Sequence, residues 1–101
     1  MTELSLSPNS ARATYRATVI CKGLAEAEAG EAVADMLSEF AERPWQEKVT
    51  CEWRDGTLRL SAQNDADETG LALLDEFGDA INAYIRYSAE IHLEVESVVL
   101  L

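Results

Sequence analysis

The chain has little with which to do covalent or metal chemistry. It carries one histidine, His92, so any Ser-His or Cys-His catalytic pair must use it. Its two cysteines, Cys21 and Cys51, lie far apart, with no C-x-x-C and no metal-ligand spacing. Lysine is scarce too, Lys22 and Lys48 against six arginines, and the formal net charge is −11. Phosphate recognition needs clustered Lys and Arg, so this balance works against direct nucleic-acid binding and adhesion to an anionic membrane surface, and neither is expected. No apolar run is longer than that of Val98, Val99, Leu100 and Leu101, far too short to cross a bilayer. No basic stretch leads into an apolar one near Met1, so the expected location is cytoplasmic, with reduced thiols.

What is present points to a folded domain with a strongly acidic surface. A chain of 101 residues that is 48% hydrophobic and holds two Trp, three Tyr and two Phe can build a single core. Residues 1–13 are polar and rich in breakers, and they read as a flexible tail. Residues 14–101 read as one domain.

Residues 14–21 alternate, with Tyr15, Ala17, Val19 and Cys21 on one face, as in a half-buried strand. Residues 24–43 have helical period. Ala29, Val33, Met36, Leu37 and Phe40 share one face, and Pro44 stops the helix. Gly30 in that helix costs about 1 kcal/mol relative to Ala. Residues 49–62 read as a hairpin around Asp55-Gly56, a strong two-residue turn signal. That turn pairs Arg54 with Thr57, Trp53 with Leu58, Glu52 with Arg59 and Cys51 with Leu60, like with like in character. Asn64, Asp65 and Asp67 offer caps for a second helix running to about Ile85, with Leu71, Leu74, Phe77, Ile81 and Ile85 as its buried stripe. Residues 88–99 alternate again, with Ile91, Leu93 and Val95 inward and Glu90, His92, Glu94 and Glu96 outward.

The element order β-α-β-β-α-β, with right-handed crossovers, predicts an α/β (α+β) fold: a ferredoxin-like two-layer sandwich. Its antiparallel sheet has the order 4-1-3-2, with both helices on one face. The outward central positions are then Thr14, Arg16, Thr18, Thr57, Arg59 and Ser61. None is aromatic, which removes the base-stacking platform of RNA-binding sheets. Arg16 is expected to pair with Glu94 or Glu90 across the open face.

The candidate site is the helix layer. Glu28, Glu31, Asp35, Glu39 and Glu42 recur every three or four residues, over roughly 20 Å of helix at 1.5 Å per residue. Like charges at that spacing oppose the helix, and nothing in the fold requires them. The second helix adds Glu68, Asp75, Glu76 and Asp79. The nine carboxylates approach the linear charge density of duplex DNA, about one per 1.7 Å.

The expected function is therefore a non-enzymatic acidic binding protein that engages a basic protein surface, as an inhibitor or immunity-type antagonist of a nucleic-acid-binding protein would. The alternative is a homodimeric regulatory domain that binds a small ligand at the open sheet face or subunit interface, with the apolar C-terminal strand as a dimer contact. No cofactor, metal or catalytic residue is expected. His92 beside Glu90 and Glu94 is the one place an enzyme reading could start. An acidic surface is also a common solution to solubility or to high salt.

Overall fold

The computed structural model describes residues 13–85 and 90–101. The expected tail lies outside them except for Ala13, and so do Ser88 and Ala89, the expected start of the last strand. The elements run β1 (Tyr15–Lys22), α1 (Ala32–Phe40), β2 (Glu47–Arg54), β3 (Thr57–Asn64), α2 (Leu71–Tyr84) and β4 (His92–Leu100). They form an α+β fold with one four-stranded antiparallel sheet, ordered β2-β3-β1-β4. Counted from the other edge, these are the neighbours of the expected 4-1-3-2 order.

The hairpin register is the one the turn dictates: Arg54–Thr57, Trp53–Leu58, Glu52–Arg59 and Cys51–Leu60 are Cα partners. Asp55 and Gly56 both take positive φ, 54° and 76°, as a tight turn between twisted strands requires. The ladder breaks between Glu47 and Thr50, where Lys48 also has positive φ.

The core lies between one face of the sheet and the two helices. Ala17, Val19 and Cys21 of β1 and Leu58, Leu60 and Ala62 of β3 pack with Met36 and Phe40 of α1 and Leu73, Phe77 and Ile81 of α2. Trp53 and Leu93 sit on the outer strands and are only half-buried against it. A central strand is covered on both flanks, whereas an edge strand is covered on one.

Both helices depart from expectation. The first begins at Ala32 rather than at residue 24. Residues 25–29 form a separate turn in which the Glu28 carboxylate accepts the Ala25 N–H at 2.8 Å and the Ala29 N–H bonds the Ala25 carbonyl. Gly30 follows, the poorest helix former available apart from proline, and the α-helix starts only beyond it. In α2 the buried stripe is Leu73, Phe77, Ala80 and Ile81, while Leu71 is 57% exposed and Leu74 half-buried. The cause lies at its N-terminus. The Asp67 carboxylate accepts the N–H groups of Ala72 and Leu73, and Gly70 leads in at φ 78°. That anchor fixes the rotation of the first turn. A side chain at position 70 would also strike Val95 and Val98 of β4.

β4 carries an unexpected bulge. Thr18 faces Ser97 but Val19 faces Val95, so Glu96 is the extra residue. The alternation therefore changes phase, with Leu93 and Val95 inward before it and Val98 inward after it.

Candidate functional site

The nine carboxylates do not form one uniform stripe. Ala32, Met36 and Phe40 define the buried side of α1, so Asp35 and Glu39 fall on a flank, both half-buried. The outermost positions of α1 are Ala34 and Ser38. Glu28 and Glu42 lie outside the helix, and Glu31 is its N-cap residue.

Three of the nine have internal duties. Glu28 holds its own turn, as described above. Glu39 and Glu76 are joined by Arg43, a residue that sequence reasoning did not single out. The Arg43 guanidinium donates through Nη1 to the Glu39 carboxylate at 2.8 Å and to the Glu39 carbonyl at 2.9 Å. Its Nε meets Glu76 at 3.1 Å, and its plane lies over the Phe40 ring, 4.8 Å from the centroid. The cation is thus the tie between α1 and α2. Its i,i+4 spacing from Glu39 was the signal available in the sequence. Arg43 holds the Glu39 carboxyl below its ordinary range, and a hydrogen bond from Tyr84 adds to this. The same contact raises the Tyr84 phenol above its usual value.

Aromatic side chains stand on this network. The Trp45 indole N–H donates to the Glu76 carboxylate, at 3.1 Å to Oε2, while the residue is 57% exposed. Gln46 beneath it is buried and bonded on both sides, to Glu76 at 3.4 Å and to Asn64 at 3.0 Å. Tyr84, at the far end of the row, is 55% exposed. Two large aromatics therefore stand beside carboxylates yet turn to solvent, and Trp45 is held by its hydrogen bond to Glu76. Glu31, Asp35, Glu42, Glu68, Asp75 and Asp79 remain, and no cation among the described residues pairs with any of them. Five of the six are exposed and Asp35 is half-buried.

The open sheet face is a laced surface. Arg59 on β3 forms a two-pronged pair with Glu96, both bonds 2.8 Å, and reaches Glu52 at 3.4 Å. Arg16 does not meet Glu94 or Glu90. Its guanidinium turns toward β2, donating to Thr50, Gln63 and the Lys48 carbonyl. Across β4 its partner is Val99, whose side chain has no acceptor to offer. A shallow groove of about 230 Å³ lies over Thr50, Cys51, Glu52, Arg59 and Ser61. Ile20 also occupies this face, between Arg59 and Glu94, and is 3% exposed.

His92 Nε2 contacts Glu94 at 2.8 Å, with the two side chains 68% and 44% exposed. Among the described residues nothing there excludes water or positions a third group. The two thiols are free. Cys21 is buried, as expected, but Cys51 is only half-buried, because β2 is an edge strand. Burial pushes the Cys21 thiol up to about 11 and, with the Glu52 charge, the Cys51 thiol up to about 12. Among the described residues no group of His, Cys, Asp and Glu is arranged to hold a metal ion. No helix is long and apolar enough to cross a membrane.

The chain was compared with protein-family models, with curated proteins and with solved structures, and it matched none of them.

Proposed function

We propose that the protein is a non-enzymatic binding module of ferredoxin-like type whose helix layer docks on a basic protein surface, the role of an inhibitor or immunity-type antagonist of a nucleic-acid-binding protein. The observation that carries this reading is Trp45: 57% exposed, yet held by a hydrogen bond to Glu76. Binding energy at protein interfaces concentrates in such rigid aromatic anchors, and Trp is the commonest of them. An indole beside carboxylates suits an incoming Arg or Lys, which gains ring contact and charge neutralisation together. The acidic residues on α1, α2 and their flanks that pair with no cation among the described residues supply the field that steers a cationic partner inward.

The experiment uses an arginine-rich peptide as a defined probe, followed by the basic protein recovered with this chain at low salt. Trp45→Ala should weaken binding by about 2 kcal/mol, roughly thirtyfold. Replacing Glu31, Asp35 and Asp79 together by their amides should lower affinity and flatten its salt dependence. The control is Arg16→Gln with Arg59→Gln on the open sheet face, which should leave binding intact. Loss of binding in the control, with Trp45→Ala silent, would place the function on the other face of the sheet.

A further inference from the structure

Among the described residues β4 is an edge strand, and its outer edge has two different halves. Before the Glu96 bulge it presents His92 and Glu94. After it come Ser97, Val98, Val99, Leu100 and Leu101, with no charged side chain. In that second half Val99, Leu100 and Leu101 are 51%, 64% and 62% exposed. The opposite edge of the sheet is blunted. β2 carries Glu47, Lys48, Glu52 and Arg54, and its ladder is broken at the positive φ of Lys48.

The direction of the backbone groups on β4 follows from one bond. Leu101 N–H donates to the Thr14 carbonyl at 2.8 Å, which continues the β1–β4 ladder. In an antiparallel strand successive residues direct both backbone groups alternately toward and away from the neighbour. Val99 therefore faces β1, in register with Arg16, while Val98 and Leu100 offer N–H and C=O to the free edge.

We infer that residues 97–101 are a docking strand for a second copy of this chain, paired antiparallel about a two-fold axis at Val99. In this register Val98 of each copy faces Leu100 of the other, and both pairs are edge-directed and on the helix-layer side. Four backbone hydrogen bonds then close, and Leu101 faces Ser97 on the open face. The register is self-consistent in side-chain face and in hydrogen-bond direction. It also meets the charge requirement of a chain with net charge −11. Pairing centred on Glu94 stacks carboxylate on carboxylate, whereas the ladder about Val99 contains no charged side chain. A ladder this short buries less than about 1,200 Å², so the dimer is weak and concentration-dependent.

Sedimentation equilibrium on the full chain should show reversible self-association as concentration rises. Leu100→Pro removes an N–H that points away from β1, so it should abolish the dimer while the melting temperature stays close to the parent value. Leu100→Lys is the second test. It places two charges at the interface and should raise the dissociation constant about a hundredfold, tenfold per copy. Val99→Cys should cross-link on mild oxidation, because opposed residues in a non-hydrogen-bonded pair lie about 4.5 Å apart at Cα. A monomer at every concentration, a dimer indifferent to both Leu100 variants, or a Val99→Cys protein that stays uncross-linked would each overturn the inference.

Discussion

Arg59 and Glu96 stand on strands that are not neighbours, yet their side chains meet in a two-pronged pair with both bonds at 2.8 Å. β1 runs between them, and Ile20 of β1 is buried at 3% exposure on the face they span. The arginine stem and the ion pair serve as a lid on an apolar residue that the open face would otherwise leave wet. Ile20→Ala should cost about 2–4 kcal/mol, as for a core residue. Arg59→Ala should destabilise more than Glu96→Gln, because it removes the covering stem as well as the pair. Equal losses in denaturant melts would show that charge, not cover, is what matters there.

Arg43 offers a test of how the two helices are joined. Its side chain is 17% exposed and binds Glu39 and Glu76 at once. Arg43→Gln should lower stability by about 1–2 kcal/mol, from a lost ring contact and two lost ion pairs. It also leaves carboxylates close together without their counter-charge. Added salt should therefore stabilise the variant more than the parent, and parallel salt curves would reject this account.

The acid limb of stability should depend on two residues. Hydrogen bonds from Arg43 and Arg59 hold the Glu39 and Glu96 carboxyls below the ordinary value of 4.5. A carboxyl that is more acidic when folded binds fewer protons in the native state than in the unfolded one. Its contribution is complete above the unfolded value and disappears as pH falls through the folded value. The melting temperature should drop as pH passes below about 4.5. A Glu39→Gln, Glu96→Gln variant should start lower and fall less. If its acid limb has the parent slope, these contacts do not carry the pH dependence.

Thiol labelling separates access from acidity. Both thiols are pushed above the ordinary 9.0, to about 11 and about 12, so little thiolate exists at neutral pH and native labelling should be slow. Of the two, Cys51 is half-buried and Cys21 fully buried. Mass spectrometry should find Cys51 modified first and Cys21 only on unfolding. The reverse order would contradict the facing of β1.

The parts of this fold that are legible in the chain are the local ones. Asp55-Gly56 determines the hairpin register because a two-residue turn admits one pairing, and each pair matches in character. The rotation of α2 is not legible. Leu71, Leu73 and Leu74 are the same residue type, and the choice among them is made by a bond from Asp67 and by the seat of Gly70 against β4. Ile20 escapes an alternation pattern because its cover comes from an arginine on the neighbouring strand β3. The Glu96 bulge leaves no mark in composition. The acidic residues were visible as a set, but the division of labour among them was not, since it depends on where Arg43 reaches.

The hairpin also sets the order of events when the chain folds. Its strands are joined by two residues, so pairing them sacrifices very little chain freedom. β1 and β4 lie near opposite ends of the domain and can meet only after a long loop closes. The transition state should contain the β2–β3 turn and lack most of the β4 contacts. Gly56→Ala would then slow refolding, whereas Leu93→Ala would chiefly speed unfolding. A strand that joins last is also the one that leaves first. Among the described strands β4 should therefore open most often, releasing the β1-facing amide protons of Val99 and Leu101 to exchange with water.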